Sequence, residues 1–221
     1  IDASNVWVLP EGSDPAIGAI HDPLGNAFHA ASPHKLTGQN VLITGCGPIG
    51  LFTVAVAKQA GAKQIFATDI NPYRLNLAKE AGADWVINPL EDNVEEFVKD
   101  HTGLGADALI EMSGSTAALA SGIAALRKGA TASLLGIFSR PVELNLDEII
   151  FNQITITGIN GRRMYDTWYD MEAALAAGLD VSSIITHRFT FDEVDKAMEL
   201  MNSGATGKVL LYPDGDKLKD A

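Results

Sequence analysis

Between residues 41 and 159 the chain alternates short runs of β-branched and aliphatic residues with longer stretches whose apolar positions recur every three or four residues. The first pattern predicts strands and the second helices. Six strands are expected, at 41–44, 65–68, 85–87, 108–111, 132–135 and 154–159. Several have no polar face, as strands do when helices cover both sides of a parallel sheet. Strands alternating with helices in this way predict a doubly wound α/β fold, a parallel six-stranded sheet of Rossmann type. Helix ends are also legible. Asn71 stands as an N-cap ahead of Pro72 at the first helical position, and Gly82 stops the same helix.

The flanks follow different patterns. Residues 14–36 read as helical segments broken near Pro23, with Asp22 placed to act as an N-cap. An amphipathic helix is expected over 165–177, then a β-like stretch at 184–191, a helix at 192–202 and a last strand at 208–212. The polar tail 214–221 is expected to be mobile. Three parts result: 1–36 as a connecting helical segment, 37–182 as the sheet domain, and 183–221 as a closing segment. The start at Ile1 and the extended look of residues 6–10 suggest a piece of a longer polypeptide.

Composition narrows the function classes. With 28 acidic against 16 basic residues the net charge is −12, which argues against nucleic acid as a partner, because that affinity comes from Lys and Arg on phosphates. No apolar run reaches the roughly 20 residues that cross a bilayer, and no leader pattern opens the chain, so a cytoplasmic address is expected. A single cysteine, Cys46, rules out an intrachain disulfide or a multi-thiolate zinc site built from this chain alone.

The strongest chemical signal lies after the first strand. Gly45, Gly47 and Gly50 form a G-x-G-x-x-G run that leads into an apolar helix. In that context the glycines allow a tight turn, close approach of a pyrophosphate and close helix–strand packing, while N–H groups at the helix start face the phosphates. Asp69 ends the second strand, roughly 20 residues past Gly50, where a carboxylate accepts ribose hydroxyls and favours NAD over NADP. Arg74 covers the adenine or ribose edge or is a solvated helix arginine. Cys46, between two glycines, reads as a small space-filler rather than a reactive thiol.

Further segments resemble the threonine dehydrogenases among the medium-chain zinc alcohol dehydrogenases. They are Asp22-Pro23-Leu24-Gly25-Asn26-Ala27, Glu111-Met112-Ser113-Gly114, Leu135-Gly136-Ile137, and the stretches 158–169 and 184–189. The resemblance covers almost the whole chain. It implies Ile49, Asp69 and Arg74 at the adenosine half of NAD, and Leu135, Gly136, Ile137, Ile159 and Asn160 along the nicotinamide half, where apolar walls exclude water. It implies that Asp22 assists a proton relay beside a catalytic zinc without binding it. For the intact protein it implies oxidation of L-threonine, a small-molecule substrate, to 2-amino-3-oxobutanoate; another polyol or secondary alcohol is the alternative.

The family's zinc ligands lie in an upstream domain, and none of its cysteine or Gly-His-Glu motifs occurs here. Zinc is therefore expected in the intact protein, with no metal ligand in this chain. His21, His29, His34, His101 and His187 have no thiolate or carboxylate company at ligand spacing and are expected to pack or face solvent. The chain alone reads as an NAD-binding and assembly module. Its edge strand 154–159 would join copies into a dimer or tetramer.

Overall fold

A computed structural model of the protein describes residues 2–213. Its elements in chain order are α1 (Pro15–Ala19), α2 (His21–Ala31), β1 (Asn40–Thr44), α3 (Pro48–Gln59), β2 (Gln64–Thr68), α4 (Pro72–Glu80), β3 (Trp85–Ile87), α5 (Val94–Thr102), β4 (Ala106–Glu111), α6 (Thr116–Ala124), β5 (Leu126–Leu134), α7 (Leu146–Phe151), β6 (Thr155–Gly158), α8 (Asp166–Ala176), β7 (Ile185–Thr190), α9 (Val194–Ser203) and β8 (Lys208–Tyr212). Strands β1 to β6 make one sheet in the order β3-β2-β1-β4-β5-β6, and every pairing is parallel. The winding reverses between β1 and β4, and in such sheets the crevice outside the strand ends at that point takes ligands. β7 and β8 pair in a separate parallel sheet.

Alternation along the strands splits the core into two layers. Val41 and Ile43 of β1 belong to a layer with Leu24, Leu51, Phe52 and Val54, whereas Leu42 joins Phe66, Leu109, Leu119 and Ile123 on the opposite face. All are buried, so the central strands have no wet side, which accounts for their continuous apolar sequence.

Local ends follow the sequence with a few shifts. Asn71 caps α4 by accepting the Tyr73 N–H, as expected. The break between α1 and α2 falls at Ile20, not near Pro23, and Asp22 sits within the first turn of α2 and is not its N-cap. Pro23 is harmless there, because first-turn N–H groups have no partner inside a helix. β5 begins at Leu126, before the expected start, because Leu126 already pairs with Ala106 ahead of a register shift; Arg127 there pairs with Asp107 at 2.5 Å. β6 is shorter than expected, and the short helix α7 before it had no counterpart in the sequence pattern. The tail 214–221 lies outside the described residues. Among the described residues no helix is long and apolar enough to cross a membrane.

Candidate functional site

The glycine run adopts the strand-to-helix turn that its spacing calls for. Gly45 has φ +90°, and a Cβ there would come within 2.8 Å of the Ser113 backbone. A Cβ on Gly50 would overlap the Gly45 carbonyl oxygen, so packing alone requires glycine at both positions. Gly47 differs: nothing lies within 4 Å of a Cβ built on it. It is the N-cap of α3, with Pro48 at the first helical position. The N–H groups of Ile49 and Gly50 in that first turn lack intrahelical acceptors and carry the positive end of the helix dipole. Open space and free donors at one helix start suit a phosphate.

A cavity of about 620 Å³ opens beside this loop, walled by Gly45, Gly47, Asp69, Arg74, Leu90, Val94, Met112 and Ser113 among others. Asp69 is fixed at its mouth by two backbone donors. Oδ2 accepts the Cys46 N–H at 2.8 Å and Oδ1 the Asn71 N–H at 2.9 Å. Each carboxylate oxygen keeps a second lone pair for a hydroxyl. Arg74 contributes a buried Nε with no hydrogen-bond partner among the described residues. A glycine cradle, an anchored carboxylate and an unsatisfied guanidinium nitrogen fit the adenosine end of a dinucleotide. Cys46 is fully buried, and its thiol is pushed well above its usual range by burial and then by the nearby Asp69 charge, which keeps it unreactive.

The other expected residues lie further along the strand ends. Leu135 and Gly136 donate their N–H groups to the Glu111 carbonyl at 3.0 and 3.1 Å, and the Ile159 N–H donates to the Leu134 carbonyl at 2.9 Å. Ile137 is 93% exposed at the end of this row, and Asn160, two residues past β6, is exposed as well. Thus Gly45, Gly47, Asp69 and Arg74 share one cleft, Ile49 and Gly50 sit behind its loop, and Leu135, Gly136, Ile137, Ile159 and Asn160 extend the row beyond β4. Asp22 is outside the cleft. Its carboxylate pairs with Arg162, whose guanidinium lies 4.9 Å over the Trp168 ring.

Two polar residues had no specific partners assigned from the pattern, although His34 was expected to pack or face solvent. Glu111 is fully buried at the end of β4; an acid closing an apolar strand was the available sign. His34 bridges the end of α2 to β5, with Nδ1 against the Thr131 hydroxyl at 2.6 Å and Nε2 against the Ser133 hydroxyl. Burial pushes its pKa down to about 4. Among the described residues, no three His, Cys, Asp or Glu side chains gather where they could hold a metal ion.

Comparison with known proteins agrees with this geometry. Residues 48–177 match a family model described as zinc-binding dehydrogenase. An L-threonine 3-dehydrogenase of Symbiobacterium thermophilum is 46% identical over 218 residues, covering 97% of this chain and 62% of that protein. The chain thus spans less than two thirds of that relative. An alcohol dehydrogenase structure from Thermotoga maritima superposes with a TM-score of 0.84 at 33% identity, covering 93% of this chain and 59% of the other. An Escherichia coli CFT073 dehydrogenase complexed with NADH gives 0.86 at 27% identity, covering 95% and 63%. With a family model matched over more than half of the chain, from the start of α3 through Asp69 to the end of α8, the chain belongs to the zinc-binding dehydrogenases.

Proposed function

We propose that this chain is the NAD-binding portion of a dehydrogenase whose intact form oxidises L-threonine to 2-amino-3-oxobutanoate. The observation that carries the cofactor is Asp69, anchored by two backbone N–H groups at the end of β2 in the cleft of the Gly45–Gly50 loop. A carboxylate there accepts the adenosine ribose hydroxyls and repels a 2′-phosphate, which favours NAD over NADP. When bound, NAD accepts the hydride from the alcohol carbon.

The residues of the chain bind and orient. N–H groups of Gly47, Ile49 and Gly50 meet the pyrophosphate, and Arg74 faces the adenosine half. Leu135, Gly136, Ile137, Ile159 and Asn160 line the nicotinamide half and exclude water from the reacting face. Asp22 assists a proton relay outward, its carboxylate positioned by the Arg162 guanidinium. The described residues do not fit a zinc site, so zinc is assigned to the rest of the intact protein and no step here passes through it. L-threonine as substrate rests on the 46% identical relative of that name.

The reading divides the chain into a connecting segment 1–36, a cofactor domain 37–182 and a segment 183–221 that returns to the upstream domain. It also joins copies through β6, which ends the sheet order with one side unpaired among the described residues and follows a helix that exposes Ile150 and Phe151. A cytoplasmic setting completes it.

Calorimetry of this chain with NAD and NADP tests the cofactor; NAD is expected to bind at least about tenfold more tightly. Tighter binding of NADP would sink the assignment of Asp69. On the intact protein, a panel of L-threonine, polyols and simple secondary alcohols tests the substrate, and faster turnover of any alcohol than of threonine would replace it. Sedimentation tests assembly, where a monomer at all concentrations rejects pairing through β6.

A further inference from the structure

Glu111 ends β4 where the sheet's winding reverses, and its side chain is wholly buried. No Lys or Arg pairs with it among the described residues, so neutral donors alone compensate its carboxylate. Oε1 accepts the Ser113 N–H at 2.8 Å, the Gly114 N–H at 3.1 Å, the Ser113 hydroxyl at short range and the Thr44 hydroxyl at 3.5 Å. The backbone carbonyl of the same residue takes the N–H groups of Leu135 and Gly136. A buried acid without a counter-charge is costly, and an aliphatic residue would fill the end of an apolar strand without that cost.

Three glycine contacts show what this arrangement achieves. A Cβ on Gly45 would meet the Ser113 backbone, so the phosphate loop rests on Ser113. A Cβ on Gly136 would overlap the Gly114 nitrogen and Glu111 Oε2, and a Cβ on Gly114 would overlap the Ile137 carbonyl. The segment after β5 therefore rests on Gly114. One carboxylate sets both supports.

We propose that Glu111 is the positioning residue that registers the Gly45–Gly50 loop against Leu135–Ile137, and with them the pyrophosphate and nicotinamide portions of the dinucleotide. The inference rests on the NAD reading above. Glu111 touches neither cofactor nor substrate; it acts through Ser113, Gly114 and Gly136. The adenosine end leans on it less: Asp69 shares the Cys46 N–H with the loop but is also held by the Asn71 N–H, and Arg74 stands on α4.

Calorimetry of the chain with NAD and with adenosine, which has no phosphate to meet the loop, separates these roles. Glu111→Asp withdraws the oxygen by one carbon, and is expected to weaken NAD about tenfold while adenosine stays within about twofold. Glu111→Gln leaves an acceptor oxygen at the Oε1 position and is expected to hold NAD within about threefold. The proposal is overturned if Glu111→Asp retains NAD affinity, if NAD and adenosine weaken together, or if Glu111→Gln is as damaging as Glu111→Asp. Should Glu111→Asp fail to fold, Ser113→Ala removes one donor at an exposed position and is expected to weaken NAD about threefold with adenosine within about twofold; unchanged NAD affinity then overturns it. If the unaltered chain binds neither NAD nor adenosine, the cofactor reading itself fails and the proposal falls with it.

Discussion

Acidification should destabilise this chain through His34, and the size of the effect follows from its surroundings. The Ser133 hydroxyl donates to the Ala30 carbonyl at 2.7 Å, so His34 Nε2 must be the donor to Ser133. Nδ1 is then the acceptor for the Thr131 hydroxyl, and the ring is neutral in a single tautomer. Burial lowers the pKa from 6.5 to about 4. Between those values the unfolded chain binds more protons than the folded one, so the stability is complete above pH 6.5 and drains away as pH falls toward 4. Linkage over that gap removes about 2 kcal/mol by pH 5 and about 3 kcal/mol near pH 4. Urea unfolding of the native chain and of His34→Gln between pH 8 and pH 5 isolates the term, because the carboxylates common to both cancel. Gln keeps a donor and an acceptor and should cost only about 1 kcal/mol at pH 8. The native chain is then expected to lose about 2 kcal/mol more than the variant by pH 5. Parallel pH profiles would refute both the neutral tautomer and its burial penalty.

Other predictions concern the cofactor loop and its neighbours. Gly50→Ala drives a methyl into the Gly45 carbonyl and is expected to cost about 3 kcal/mol in thermal or urea unfolding, with loss of NAD binding. Asn71→Ala loses both the α4 cap and the Nδ2 bond to the Gly204 carbonyl at 3.0 Å, costing about 2 kcal/mol. Asn71→Ser restores the cap and should recover about half of that loss in the same assay. Cys46 in the native chain should resist a thiol-titrating disulfide reagent at pH 8 and react promptly in denaturant; prompt native reaction would contradict its burial.

Much of this fold was legible in the linear pattern. Strands with two buried faces are written as unbroken apolar runs, and the turn from β1 to α3 admits only glycine at Gly45 and Gly50 because backbone atoms of the same and neighbouring loops stand where a Cβ would be. The left-handed backbone at Gly45 and the Gly45 carbonyl against Gly50 are local constraints, and they reach the sequence as residue type and spacing. The same holds for Asn71 as a cap and for Asp69 at the end of β2. The sequence by itself thus determined the fold class, the glycine turn after β1 and the place of Asp69 at the end of β2. Only the tertiary structure decided where α2 begins, that Asp22 faces Arg162 across 140 residues of chain, that His34 is held neutral against β5, and that Glu111 supports two loops at once. Each of these depends on partners brought together by packing, and desolvation and hydrogen bonding act on distances in space, which no periodicity along the chain records.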